Sequence, residues 1–142
     1  MCQCSIYSAI WPLNADPVLR STRQACVVWL KNRVARAYKL DELIGDTKTV
    51  PIPPVDCQAI KQHIIPLLVT ASSRPIRVQL TSCVKTVIGS DFPDEWPGLV
   101  DQVVSMLQSE DLPTIYAGLL VNLEILKSYK CVLRRIALHD GD

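Results

Sequence analysis

A chain of 142 residues with 15 Lys and Arg against 14 Asp and Glu carries a formal charge of only +1. Length of this order allows one domain, or a few units of a longer array. Mixed, nearly cancelling charge leaves no basic stripe of the kind that nucleic acid requires. Hydrophobic residues make up 49% and aromatic residues only 6%, a Leu-, Ile- and Val-rich balance that suits packed helices.

No apolar run approaches the ~18 residues of a membrane-spanning helix. The longest, Ile115 to Leu126, is interrupted by Asn122 and Glu124 and bounded by Lys127. Met1-Cys2-Gln3-Cys4 has no basic region of the secretory kind, so the expectation is a soluble, intracellular chain.

Residues 1–20 are unassigned. Tyr7 to Trp11 could end a helix or a strand before Pro12 and Asn14-Ala15-Asp16-Pro17 break the chain. Helix one is predicted from Ser21 to Tyr38, capped by Ser21 or Thr22, with Val27, Leu30, Val34 and Tyr38 at helical spacing. Arg23, Lys31, Asn32, Arg33 and Arg36 lie off that stripe, and their plainest reading is a solvated face. Lys39 to Val55 is a long connection ending in Pro51-Ile52-Pro53-Pro54, which favours an extended segment. Asp56 is expected to cap helix two, with Ile60, Ile64, Leu67 and Leu68 on one face and Pro66 kinking its last turns. Ser72 to Pro75 reads as a turn, with Pro75 at a helix start.

Helix three, Ile76 to Ile88, has the cleanest stripe: Leu80, Cys83, Val84, Val87 and Ile88. Gly89-Ser90-Asp91-Phe92-Pro93-Asp94-Glu95-Trp96-Pro97 then cannot continue a helix, because Pro93 and Pro97 lack a donor and clash with the preceding turn. Gly89 suits a left-handed helix end and Pro97 the first position of the next helix, with Asp94 and Glu95 near its positive N-terminus. Phe92 and Trp96 could pin this corner between the helices. Helix four carries Leu99, Val100, Val103, Met106 and Leu107, and Gln108 to Pro113 breaks it. Helix five is predicted from Thr114 to Tyr129 with Ile115, Leu119, Leu123 and Leu126 toward the core. Leu80, Val84, Val87, Leu99, Val103, Leu107, Leu119 and Leu123 are therefore expected to be buried, and residues 131–142 to form an irregular tail.

Chemistry-bearing patterns are sparse. Cys2 and Cys4 form a C-x-C pair, but Cys26, Cys57, Cys83 and Cys131 lack metal-ligand spacing, and Cys26 and Cys83 fall within apolar stripes as small hydrophobes. His63 and His139 have no nucleophile or carboxylate at a recognisable spacing, and the five Gly form no phosphate loop. The expectation is no enzyme, no metal and no cofactor.

Five helices with mostly short turns predict an all-α, α–α superhelix of stacked antiparallel pairs, HEAT- or armadillo-like, over residues 21–130. A weak echo supports a repeat: Arg23 to Lys31 and Arg77 to Lys85 share the same step, with apolar Leu30 or Val84 just before the Lys. Their separation exceeds the ~40–47 residues of such units, and the long connection after Lys39 can account for the excess. A stack of about two and a half pairs leaves apolar faces open, which intact solenoids cover with capping repeats. The chain thus reads as a fragment of something longer, with a tendency to self-associate.

Thr22-Arg23-Gln24-Ala25-Cys26-Val27-Val28-Trp29-Leu30-Lys31-Asn32 resembles the R-Q-A-A-x-x-x-L-K-N segment in the N-terminal domain of importin-β (karyopherin-β) transport receptors. Asp56, Gln58, Ile60, Lys61 and Ile64 resemble the helix after that family's insertion. Arg77, Gln79, Leu80, Cys83, Asp91-Phe92-Pro93, Trp96-Pro97, Val100-Asp101 and Leu107-Gln108-Ser109 are similar to the branch of importins seven and eight and their fungal counterparts. The likeness runs from about Val18 to Lys130. Tyr38 departs from it, standing where the branch tends to have Trp, and residues 1–17 do not resemble the first repeat.

The resemblance implies a nuclear transport receptor in cytoplasm and nucleus and at the nuclear pore. Helices one, three and five would line a concave face that binds the small GTPase Ran in its GTP form, with Arg23, Lys31, Asn32, Arg36 and Lys85 as candidate contacts. Protein cargo and nucleoporins would engage repeats outside this chain. Asp91, Phe92, Pro93, Trp96 and Pro97 would serve the corner. The competing readings are a general HEAT or armadillo scaffold without Ran binding, and a small enzyme or metal protein using Cys2 and Cys4.

Overall fold

A computed structural model describes residues 20–39, 49–71 and 73–139, with side chains left aside at 131, 132 and 135–139. These residues form five helices and no strand: α1 (Arg20–Ala37), α2 (Pro54–Val69), α3 (Arg74–Asp91), α4 (Leu99–Leu107) and α5 (Leu112–His139).

Contacts fix their directions. Tyr38, just after α1, meets Asp91 at the end of α3, and the Lys31 charge acts on Cys83 in the middle of α3. Arg77 near the start of α3 lies 5.4 Å from the Tyr116 ring near the start of α5, while Phe92 after α3 meets Tyr129 far along α5. Early residues meet early ones and late meet late, so α1, α3 and α5 run parallel. The chain returns between them through α2, packed on α3 and α5, and through α4, packed on α5. The architecture is all-α, two layers of stacked helix pairs.

The ends of the elements follow local chemistry. Lys39 leaves α1 with φ 48°, the left-handed conformation common after helices but costly for a side chain with a Cβ. Beyond the undescribed residues 40–48, the connection is tied back to α1: Arg33 donates to the carbonyls of Val50 and Pro51, and Ile52 N–H donates to Ala37 O at 3.1 Å. Helix α2 starts two residues before Asp56, on Pro54, whose missing N–H costs nothing in a first turn. It also runs on through Pro66. Helix α5 is capped by Asp111, whose Oδ2 accepts from the Thr114 N–H at 3.0 Å and the Thr114 hydroxyl at 2.6 Å. Its backbone continues to His139, so residues 131–139 are helical where the sequence suggested an irregular tail.

Two expectations at the corner are corrected. Gly89 lies inside α3, and no described glycine has positive φ. Pro97 is not the first residue of α4, which begins at Leu99 after Gly98.

The core joins Leu30 and Val34 of α1, Ile60, Ile64 and Leu68 of α2, Leu80, Val84 and Val87 of α3, Leu99 and Val103 of α4, and Ala117, Val121 and Ile125 of α5. Leu107 is only half-buried against it. Leu119 and Leu123, expected inside, are 52% and 47% exposed, and Leu126, Ile115 and Val100 are likewise not buried. The inward face of α5 is instead Ala117, Gly118, Val121 and Ile125, small where it meets α4. A Cβ on Gly118 would stand 3.1 Å from the Met106 Cβ, so α4 approaches closely only where α5 is narrow.

Candidate interaction surface and the buried corner cluster

The corner turns on Asp91, whose side chain is fully buried at the end of α3. An isolated carboxylate there would be prohibitive, so the sequence surrounds it with donors. The Tyr38 hydroxyl donates to Oδ2 at 2.7 Å, and the Lys61 ammonium of α2 stands 2.8 Å from the same oxygen. The Lys39 ammonium pairs with Oδ1 at 2.8 Å and also with the Glu95 carboxylate. Lys61 further donates to the Glu95 carbonyl at 3.1 Å, and the Glu95 N–H donates to the Asp91 carbonyl at 2.7 Å. The Phe92–Pro93 peptide is cis. Phe92 meets Tyr129 edge-to-face at 5.7 Å, and Trp96 packs half-buried against the core, while Pro93 and Pro97 are exposed.

The electrostatics agree with the geometry. Burial alone would push the Asp91 carboxyl up, but Lys39, Lys61 and Tyr38 together hold it below its ordinary value. Burial, reinforced by the hydrogen bond to Asp91, pushes the Tyr38 phenol well up. Pairing with Asp91 and Glu95 raises Lys39. The cluster is a tie between α1, α2 and α3.

The five candidate contact residues do not form one patch. At ~100° per residue, Asn32 and Arg36 share one strip of α1, both exposed. Arg23 and Lys31 border the core face. Arg23 is half-buried with its Nε out of water and without a partner. Lys31 is half-buried against α3, where its charge partly offsets the burial that pushes the Cys83 thiol up to about 12. Lys85 is exposed on α3, two residues beyond Cys83. Lys31 and Lys85 thus lie on parallel neighbouring helices, one half-buried and the other exposed.

Sequence reasoning missed the partners of Asp91. Tyr38, Lys39 and Lys61 are distant from it in the chain; Tyr38 was legible as a stripe residue of helix one and Lys61 sits between Ile60 and Ile64 in a buried stripe, but neither pointed to Asp91. It also missed Glu124, which is buried on α5 with Oε1 accepting from Lys127 at 2.7 Å and Oε2 unpartnered. Among the described residues no group of three or more His, Cys, Asp and Glu could hold a metal, and no helix is long and apolar enough to cross a membrane. Cys2, Cys4 and His139 lie outside the residues whose side chains are described.

No family model matches the sequence. Human importin-8 is 32% identical over 118 residues, covering 82% of this chain and 11% of its own length. The importin alpha re-exporter of Saccharomyces cerevisiae is 28% identical over 114 residues, covering 80% and 11%. Among solved structures, the exportin Cse1 in its cargo-free, cytoplasmic state superposes with a TM-score of 0.71 at 27% identity, over 86% of this chain and 12% of that one. The chain spans about a tenth of the length of these relatives. With more than 30% identity to human importin-8 over four-fifths of its length, the chain belongs to the importin-β family.

Proposed function

We propose that this chain is part of a nuclear transport receptor, moving between cytoplasm and nucleus, whose α1–α3 side contacts a Ran-type GTPase in its GTP form. The observation that carries the reading is the match to importin-8 and to Cse1 over more than four-fifths of the chain. Lys85 on α3 and Asn32 and Arg36 on α1, all exposed, would offer preplaced polar groups, with half-buried Lys31 as a further cation on α1. Such contacts need preplaced polar groups and no chemistry on the receptor's side, and charges at a rim govern association rate and salt sensitivity more than dissociation. We favour import as the direction, since identity is higher to importin-8 than to the re-exporter. Cargo and nucleoporins would bind elsewhere on a receptor of the relatives' length.

The test is fluorescence anisotropy of labelled Ran, loaded with GTP or with GDP, titrated with the chain. Binding is expected to be weak, selective for the GTP form and steeply salt-dependent. Lys31→Ala with Lys85→Ala is expected to weaken it by roughly 1–3 kcal/mol if the pair is desolvated in the complex. Equal affinity for both nucleotide forms, or indifference to the double substitution, would favour a general helical scaffold instead.

A further inference from the structure

The segment leading into α2 exposes its side chains in a fixed rhythm. Val50 and Pro51 are exposed, Ile52 is buried, and Pro53 and Pro54 are exposed again. Thr49, three residues before Ile52, is half-buried. A period of three is that of polyproline II, in which residues three apart share one edge. The Pro53 backbone, at φ −58° and ψ 147°, has that conformation. Thr49 and Ile52 therefore form the edge turned to the core. Val50 and Pro53 form a second edge and Pro51 and Pro54 a third, both in solvent.

The fold holds the segment in this state. Arg33 donates to the carbonyls of Val50 and Pro51, and Ile52 N–H donates to the last carbonyl of α1, Ala37 O. The Cys57 thiol of α2 lies 3.8 Å from the Ile52 carbonyl. Polyproline II makes no hydrogen bonds of its own, so these outside partners are what fix it. The segment crosses from the end of α1 to the start of α2, over helix ends. Units of a stacked array meet through their helix faces, so a further unit beside this one leaves that edge in solvent.

Two x-Pro dipeptides, Val50-Pro51 and Pro53-Pro54, thus stand side by side on the solvent side, with Ile52 turned away. Their prolines are three residues apart, roughly 9 Å at ~3.1 Å per residue. Aromatic-lined grooves of SH3-type domains take P-x-x-P segments in this conformation. Pro93 and Pro97 are also exposed, but at four residues apart they share no edge of a threefold helix.

We propose that residues 49–54 are a preformed polyproline ligand for an SH3-type domain, with Val50-Pro51 in one aromatic groove and Pro53-Pro54 in the next. Because the ligand is ordered before it binds, the complex avoids most of the entropy that a loose peptide would lose.

Titration of the 142-residue chain into a panel of purified, fluorescently labelled SH3 domains tests this, with WW domains alongside. At least one SH3 domain is expected to bind. Pro51→Ala with Pro54→Ala is expected to weaken that binding at least about tenfold. Val55→Ser, one residue beyond both dipeptides, is expected to change it less than about twofold. These three side chains are exposed, so thermal melting of both variants should follow the parent. Arg33→Ala keeps both dipeptides but unties their carbonyls, and is expected to weaken binding severalfold; indifference to it would overturn the claim that the fold preforms the ligand. Binding by no SH3 domain, binding by WW domains alone, or binding that survives the double proline substitution would each overturn the proposal.

Discussion

The corner and the outer face of α5 invert the usual rule in opposite ways. At the corner a carboxylate and an ammonium are buried, Asp91 at 2% and Lys61 at 7% exposure, while on α5 a row of leucines stands in solvent. The buried charges are compensated from within: Tyr38 and Lys61 hold one oxygen of Asp91, the Lys39 ion pair is what the other has, and Lys61 also donates to the Glu95 carbonyl. The exposed leucines are complete only with a neighbour. Unusual burial thus marks what holds these helices together, and unusual exposure marks where something else must lie.

The contrast breaks most visibly at Asp91. Asp91→Ala leaves the Lys61 ammonium buried without its main counter-charge and is expected to cost about 3–5 kcal/mol in denaturant unfolding. The same cluster sets the pH window. Asp91 has a folded pKa below its ordinary 3.8, so its contribution is present above that pH and fades as pH falls through the lowered value. Tyr38 and Lys39 are raised above 10.0 and 10.5, so their contribution is full below pH 10 and fades as pH climbs through the raised values. A stability profile flat between those limits, falling outside them and flattened by Asp91→Asn, is the expected result.

The two faces of α5 sharpen it next. Ile125→Ala on the inner face is expected to cost about 2–5 kcal/mol, whereas Leu119→Ala on the outer face should stay within about 0.5 kcal/mol when measured dilute enough for the single chain. Equal costs would mean that the two faces are wrongly assigned. The smallest test is a pair of glycines. Gly89 has nothing within 4 Å of an added Cβ, so Gly89→Ala should stabilise by about 0.5–1 kcal/mol. Gly118→Ala should lose most of that gain, because its Cβ presses on Met106 and Leu107.

The same contrast explains how far the sequence could be read. All five helices, their order and the burial of Leu80, Val84, Val87, Leu99 and Val103 followed from 3.6-residue periodicity and from proline positions. The face of α5 did not. Leucines outweigh Ala117, Gly118 and Val121 on any hydropathy scale, yet close helix packing requires the small residues, and hydropathy cannot say which of two apolar faces is covered. At the corner the local signals of Asp91, Phe92, Trp96 and the prolines were legible, and Pro97 and Gly89 were each misplaced by a turn's worth of detail. Tyr38, Lys39 and Lys61 reach Asp91 only through the parallel stacking of α1 on α3 and the return of α2, which no local pattern encodes. Tyr38 drew notice as the last residue of the helix-one stripe and as a departure from the Trp of similar chains, while its hydroxyl supplies a donor to the buried carboxylate.

The claim that a buried charge cluster fastens the first three helices is tested most directly by denaturant unfolding of Asp91→Asn, alone and combined with Lys61→Met. Asp91→Asn alone should destabilise by about 3–5 kcal/mol, and adding Lys61→Met should recover more than half of that loss by removing the stranded ammonium. A single substitution that leaves stability within about 0.5 kcal/mol of the parent, or a double variant no better than the single, would contradict it.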